Sequence, residues 1–204
     1  MFSLWKPQGL AVTYWRDALV DLGGSLARID ATQVSVMVVD ADVDKVAAQC
    51  MTASADPLMG MVSLWLDKSN MLDPVQAALQ KHAARLHAYH VHEFVPYPEK
   101  RSMRRAQVQA DVAIGQRTPG MCQESLFQRP AWLELAQWMY YWRDCHAFNA
   151  YALQSIFDCR QNIVVESLTP QAQLIHAIVE EHYPSDAIGS LDGFYGAQGD
   201  ANLL

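Results

Sequence analysis

Cysteine is scarce and shows no pairing pattern: Cys50, Cys122, Cys145 and Cys159 form no CxxC step. A chain of 204 residues holds its core without covalent staples, so isolated thiols fit a reducing compartment better than a secreted disulfide framework. No apolar run reaches the length of a membrane span. The start, Met1-Phe2-Ser3-Leu4-Trp5-Lys6-Pro7, lacks the basic step and apolar stretch of a signal peptide. These absences predict a soluble, cytoplasmic protein with no membrane partner. Positive charge is also short. Fifteen Lys and Arg against 22 Asp and Glu leave a net charge of −7, the wrong sign for a phosphate backbone, so no nucleic-acid partner is expected. The one basic cluster, Lys100, Arg101, Arg104 and Arg105, reads as a solvated linker.

Fingerprints are missing too. GxGxxG, the GxxxxGK phosphate loop, HExxH and GxSxG do not occur. Gly189-Ser190-Leu191-Asp192-Gly193 has its serine one position too early for a nucleophile elbow and reads as a turn. His90 and His92, with His82 and His87 before them, lack regularly spaced carboxylate or thiolate partners. A polar rim is expected there; no metal and no cofactor is predicted.

What is present is an ordinary globular composition, 51% hydrophobic and 18% charged, and an internal repeat. Tyr14-Trp15-Arg16-Asp17 recurs 127 residues later as Tyr141-Trp142-Arg143-Asp144. Three further blocks follow in the same order. Ser3 to Pro7 parallels Ser125 to Pro130, Gln33 to Val38 parallels Gln161 to Glu166, and Met61 to Leu66 parallels Ile178 to Tyr183. Each copy reads β-α-β-β-α. The opening strand stops at Pro7 or Pro130. Segments 33–39, 161–168, 58–66 and 175–183 are strands, and Asp73-Pro74 opens a helix over 73–87 with aspartate as its cap. His90 to Val95 closes the first copy as β-α-β-β-α-β, the split βαβ order. Trp132, Leu135, Met139, Trp142 and His146 mark an amphipathic stripe on the long helix of the second copy. The predicted class is α+β, with tandem ferredoxin-like modules forming a pseudo-dimeric α+β barrel. The first module spans 1–96, a linker 97–120, and the second 121–204. The second ends too early for a full second helix and closing strand.

The second copy resembles the EthD family, named for ethyl tert-butyl ether degradation. Arg129-Pro130 leading to the helix Trp138 to His146 looks like the family's Trp-x-x-x-His helix. The strand Arg160 to Val165 and the segment Ala177 to Pro184 are similar to family strands, the latter bearing a glutamate. The resemblance covers about residues 121–197. It implies a dimeric α+β barrel, a superfamily that includes cofactor-free oxygenases, polyketide cyclases, muconolactone isomerases and haem-dependent dismutases.

His146 is the leading candidate. Its counterpart at the constant offset is Leu19, an apolar slot where a histidine needs a partner or a cavity. Trp142 lies one turn earlier and Asn149 one turn later. Successive strand residues face opposite ways, so one of Glu180 and Glu181 turns inward. The resemblance favours Glu180 as the orienter of His146, with Glu181 as the exposed partner. Gln161 and Asn162 offer hydrogen bonds to a substrate carbonyl, Trp138 and Trp142 a wall, and Tyr151 with Gln154 a mouth. The expected function is binding, and transforming, a small apolar oxygenated or aromatic compound by cofactor-independent acid–base chemistry. The rival is a non-catalytic small-molecule carrier or an accessory of an oxygenase system. A third reading has haem held by a histidine. Homodimerisation through barrel faces is compatible with each.

Overall fold

Short runs rich in β-branched and aromatic residues alternate with helices, and each run becomes a strand in the computed structural model. The structure describes residues 1–28, 31–43, 46 and 58–196; Cys50 lies outside them. It is a mixed α+β protein whose chain divides into two units. One comprises 1–90 with 166–173, the other 91–165 with 174–204.

The first unit runs β1 (Phe2–Trp5), α1 (Val12–Leu26), β2 (Ala31–Val38), β3 (Gly60–Leu66), α2 (Leu72–Gln80) and β4 (Arg85–Phe94), the last crossing into the second unit at 91. Its strands lie in the order β2-β3-β1-β4, antiparallel where β3 meets β2 and where β1 meets β3 and β4. Phe2, Leu4, Trp15, Leu19, Leu26, Val62, Val75 and Leu79 form one core between sheet and helices. Trp15 also donates its indole N–H to His82 O at 2.6 Å. The helix expected over 73–87 is shorter. A 3-10 turn, Ser69–Met71, leads into it, Asp73 sits in its first turn instead of capping it, and it gives way to β4 earlier than predicted.

In the second unit α3 (Pro98–Gln107) precedes β5 (Met121–Phe127). The long helix follows as α4 (Leu135–Met139), a π-helical stretch Tyr140–His146, and α5 (Ala147–Leu153). Then come β6 (Asp158–Ser167), β7 (Ala177–Tyr183) and the short α6 (Leu191–Tyr195). The strands lie in the order β6-β7-β5, antiparallel. Ser190 caps α6, its hydroxyl accepting from Gly193 N at 3.1 Å, so the Gly-Ser-Leu-Asp-Gly run is a helix start.

The basic cluster is not a solvated linker. It is α3, docked through charge. Arg101 and Arg105 both bind the buried Asp158 carboxylate, at 2.5 to 2.9 Å. Arg104 donates to Tyr151 O, Gln154 O and Ile156 O, collecting carbonyls at the end of α5.

The repeated tetrapeptide has the same local arrangement in both units. Trp15 and Trp142 are buried, Tyr14 and Tyr141 are exposed, and Arg16–Asp17 and Arg143–Asp144 form neighbouring ion pairs at 2.9 and 2.8 Å. Two of the other blocks are displaced. Val62 pairs with Phe2 and Val36, whereas Val179 pairs with Ser125 and Gln161. If Val62 is matched with Val179, the first block is out by one residue and the Gln33 block by three. The predicted stripe shifts as well. Trp132 and Leu135 are exposed, and the buried side of the helix is Trp138, Trp142, Ala147, Ala150 and Tyr151.

Candidate functional site

Strand alternation divides the polar residues of the second unit between two faces of one sheet. On the helix side, cross-strand partners are Gln123, Glu181 and Cys159, then Ser125, Val179 and Gln161. Trp138, Trp142, Ala177 and Val179 pack together here, and so do Ala150, Tyr151, Ile156, Cys159 and Tyr183. On the opposite side lie Cys122, His182 and Asp158, and next to them Glu124, Glu180 and Arg160.

The predicted pair of His146 and Glu180 is therefore split. Glu181, not Glu180, faces His146, and it is buried, not the exposed partner. Its Oε1 lies 3.5 Å from His146 Nε2, with the imidazole 46% exposed and the carboxylate 6%. The contact has ion-pair distance without hydrogen-bond alignment. Glu181 raises the imidazole above its ordinary value, against a smaller opposing effect of burial. Glu181 Oε2 is 3.4 Å from Tyr183 OH, but that hydroxyl is only 2.6 Å from Gln154 Oε1. A hydroxyl has one proton to give, and the shorter contact takes it. His146 is thus the basic side chain within ion-pair distance of the buried carboxylate.

A wide helical turn puts His146 there. In α1 the residue four after Trp15, Leu19, is fully buried. In the second unit the chain is π-helical through His146, bonded i to i+5. The residue five after Trp142, Ala147, takes the buried place, and His146 moves to the flank. The expectation that His146 occupies the Leu19 slot fails for this reason. Gln161 pins the turn to β6, its Nε2 donating to Trp142 O at 3.1 Å.

The remaining candidates have other roles. Trp138 and Trp142 stack with ring centroids 5.1 Å apart inside the core, so they are packing and not an open wall. Tyr151 is buried, under the Arg104 guanidinium, and forms no mouth. Asn162 faces away from His146 and donates to Glu180 Oε1 at 3.1 Å. Asn149 lines an open groove of about 460 Å³ with Tyr97, Tyr140, Asp144, Cys145 and Phe148. Neither His146 nor Glu180 lines that groove.

Glu124, Arg160, His182 and Asp158 escaped the sequence reading. Burial raises Glu124 and Glu180, the latter to about 7, and lowers His182 to about 4. Burial also pushes Asp158 up, but Arg101 and its neighbouring cations more than offset it, leaving it below the ordinary range. Alternation was the available signal: Cys122 and Glu124, Asp158 and Arg160, and Glu180 and His182 are polar at every second position of three strands. Among the described residues no group of three or more His, Cys, Asp and Glu is arranged to hold a metal ion. None of their helices is long and apolar enough to cross a membrane. Comparison with protein-family models, curated proteins and solved structures finds no match.

Proposed function

We propose that this protein binds a small, largely apolar, oxygenated or aromatic compound and moves a proton on it, with His146 as general acid and base. The observation that carries the reading is the half-exposed imidazole 3.5 Å from the buried Glu181 carboxylate. An accessible base backed by a buried carboxylate takes a proton from carbon next to a carbonyl, and the carboxylate stabilises the imidazolium that forms. The same imidazolium returns the proton to another carbon or to oxygen, so the step balances without a cofactor. Glu181 acts through His146 as its positioning residue. Gln161 acts one step further back, through the π-helical turn.

The architecture proposed with it is a tandem of two ferredoxin-like modules of EthD type that arose by duplication. Its support is the shared β-α-β-β-α order and the matched tetrapeptide geometry. A second reading, a non-catalytic binding protein or accessory of an oxygenase system, is favoured by the open groove whose rings Tyr97, Tyr140 and Phe148 are exposed.

Hydrogen–deuterium exchange at the α-carbon of a panel of aromatic and cyclic ketones, followed by proton NMR, tests the catalytic reading. Wild type should exchange at least one panel member, and His146→Gln should lose about 100-fold or more while remaining folded by circular dichroism. Exchange that survives His146→Gln refutes it. Binding without exchange by wild type selects the second reading.

A further inference from the structure

Three carboxylates on the sheet face opposite His146 share one cation. Glu124 and Glu180 are direct cross-strand partners, and Arg160 pairs with Glu180 from the other side. Directly opposed side chains on antiparallel strands have β-carbons about 5 Å apart, where like charges repel. Glu180 is 2% exposed, and Glu124 Oε2 is buried without a hydrogen-bond partner. Every charged or titratable neighbour on the packed elements enters the balance. Glu93 of β4 draws on Arg160, whose Nη1 is 3.5 Å from its Oε2. Asp158 of β6 is taken by Arg101 and Arg105 of α3. Cys122 of β5 lies 3.5 Å from Glu124 Oε1 as a neutral thiol donor, and His182 of β7 lies 3.6 Å from the same thiol. Asn162 gives its amide proton to Glu180.

We infer that Glu124 and Glu180 hold one proton between them at neutral pH, and that this buried acid pair is a proton-operated lock on the β5–β7–β6 sheet. Asn162 donates to Glu180 Oε1, and Arg160 is the cross-strand neighbour of Glu180. A single cation shared by three carboxylates cannot neutralise the group, so a proton supplies the missing positive charge. The coupling makes the proton a property of the pair and not of either residue.

The direction follows from linkage. Both acids are raised above their unfolded value of 4.5, Glu180 to about 7. The folded state therefore binds more protons across that interval, and the pair's contribution to stability is full below 4.5 and is lost as pH rises through about 7. Acidification tightens the sheet; alkalinisation loosens it.

Infrared spectroscopy of the full chain tests the lock. Wild type at pH 7 should show the C=O stretch of a protonated carboxylic acid, fading toward pH 9, and the double variant Glu124→Gln/Glu180→Gln should lack it. Glu124→Gln mimics the protonated acid, so its melting temperature should match wild type at pH 6 and exceed it at pH 9 by several degrees. No protonated band in wild type at pH 7, or a band that survives the double variant, overturns the inference. So does a Glu124→Gln shift equal at both pH values. If the variants fail to fold, the wild-type band alone decides. Proton exchange on ketones is read separately, because His146 lies on the other sheet face.

Discussion

Replacing Asp158 by Asn asks whether α3 belongs to the second unit. The carboxylate is 1% exposed and accepts from Arg101 Nε at 2.5 Å, Arg101 Nη2 at 2.8 Å and Arg105 Nη1 at 2.9 Å. Hydrogen bonds to charged groups contribute roughly 1.5–3 kcal/mol each, and removing one partner of a buried pair costs about 3–5 kcal/mol. The guanidiniums retain 25% and 19% exposure, so water recovers part of the loss and the lower figure, about 3 kcal/mol, applies. In a chain of this size that is a fall of about 6–12 °C in melting temperature. The pH profile adds a second readout. Asp158 sits below its ordinary 3.8, so its contribution is present above that value and is lost as pH falls further; Asp158→Asn should flatten the acid limb. Urea denaturation followed by circular dichroism supplies the free energy, with Arg101→Met and the double variant completing a cycle. A loss under about 0.5 kcal/mol with no coupling would refute the docking and return residues 98–107 to a solvated connector.

Other outcomes follow from the same geometry. Glu181→Gln removes the carboxylate that raises His146 and leaves burial, which lowers it, so the histidine titration followed by NMR should move down; an unchanged titration would mean the pair does not exist in solution. Gln161→Leu removes the donor to Trp142 O and should cost about 1–3 kcal/mol as well as shifting the His146 titration, which a purely structural role would leave in place. Gly120→Ala places a side chain at φ +92° with its Cβ 1.9 Å from Tyr183 O. It should cost at least about 2 kcal/mol, measurable by thermal melting.

Much of the fold was legible because it is local. Strand runs around Val36, Val62, Ile163 and Val179 announced themselves by composition, and the tetrapeptide around Trp15 and Trp142 has the matched burial and ion pairing that its repetition suggested. His146, Glu181 and Gln161 were all candidates from their positions. What could not be read was register. Choosing between Glu180 and Glu181 required knowing that Glu181 shares its face with Val179, and a fixed offset across the helix assumed uniform winding. The docking of α3 was hidden for another reason: none of its residues is buried, and its partners Tyr151, Ile156 and Asp158 lie roughly fifty positions downstream. A helix held through its cations has the composition of a tether.

The underwound spacing between Trp142 and Ala147 works as a one-residue gear. It lets the indole and everything beyond Ala147 mesh with the sheet as an ordinary helix would, while a single polar side chain slips out of mesh and reaches water. Rewinding residues 140–146 as α-helix with no change of length would put His146 four after Trp142, in the slot that Leu19 fills after Trp15, and carry the imidazole into the hydrocarbon layer. A protein built on the ungeared version, such as the helix around Trp15, has no place at that position for a group that must meet both a buried charge and a visiting molecule.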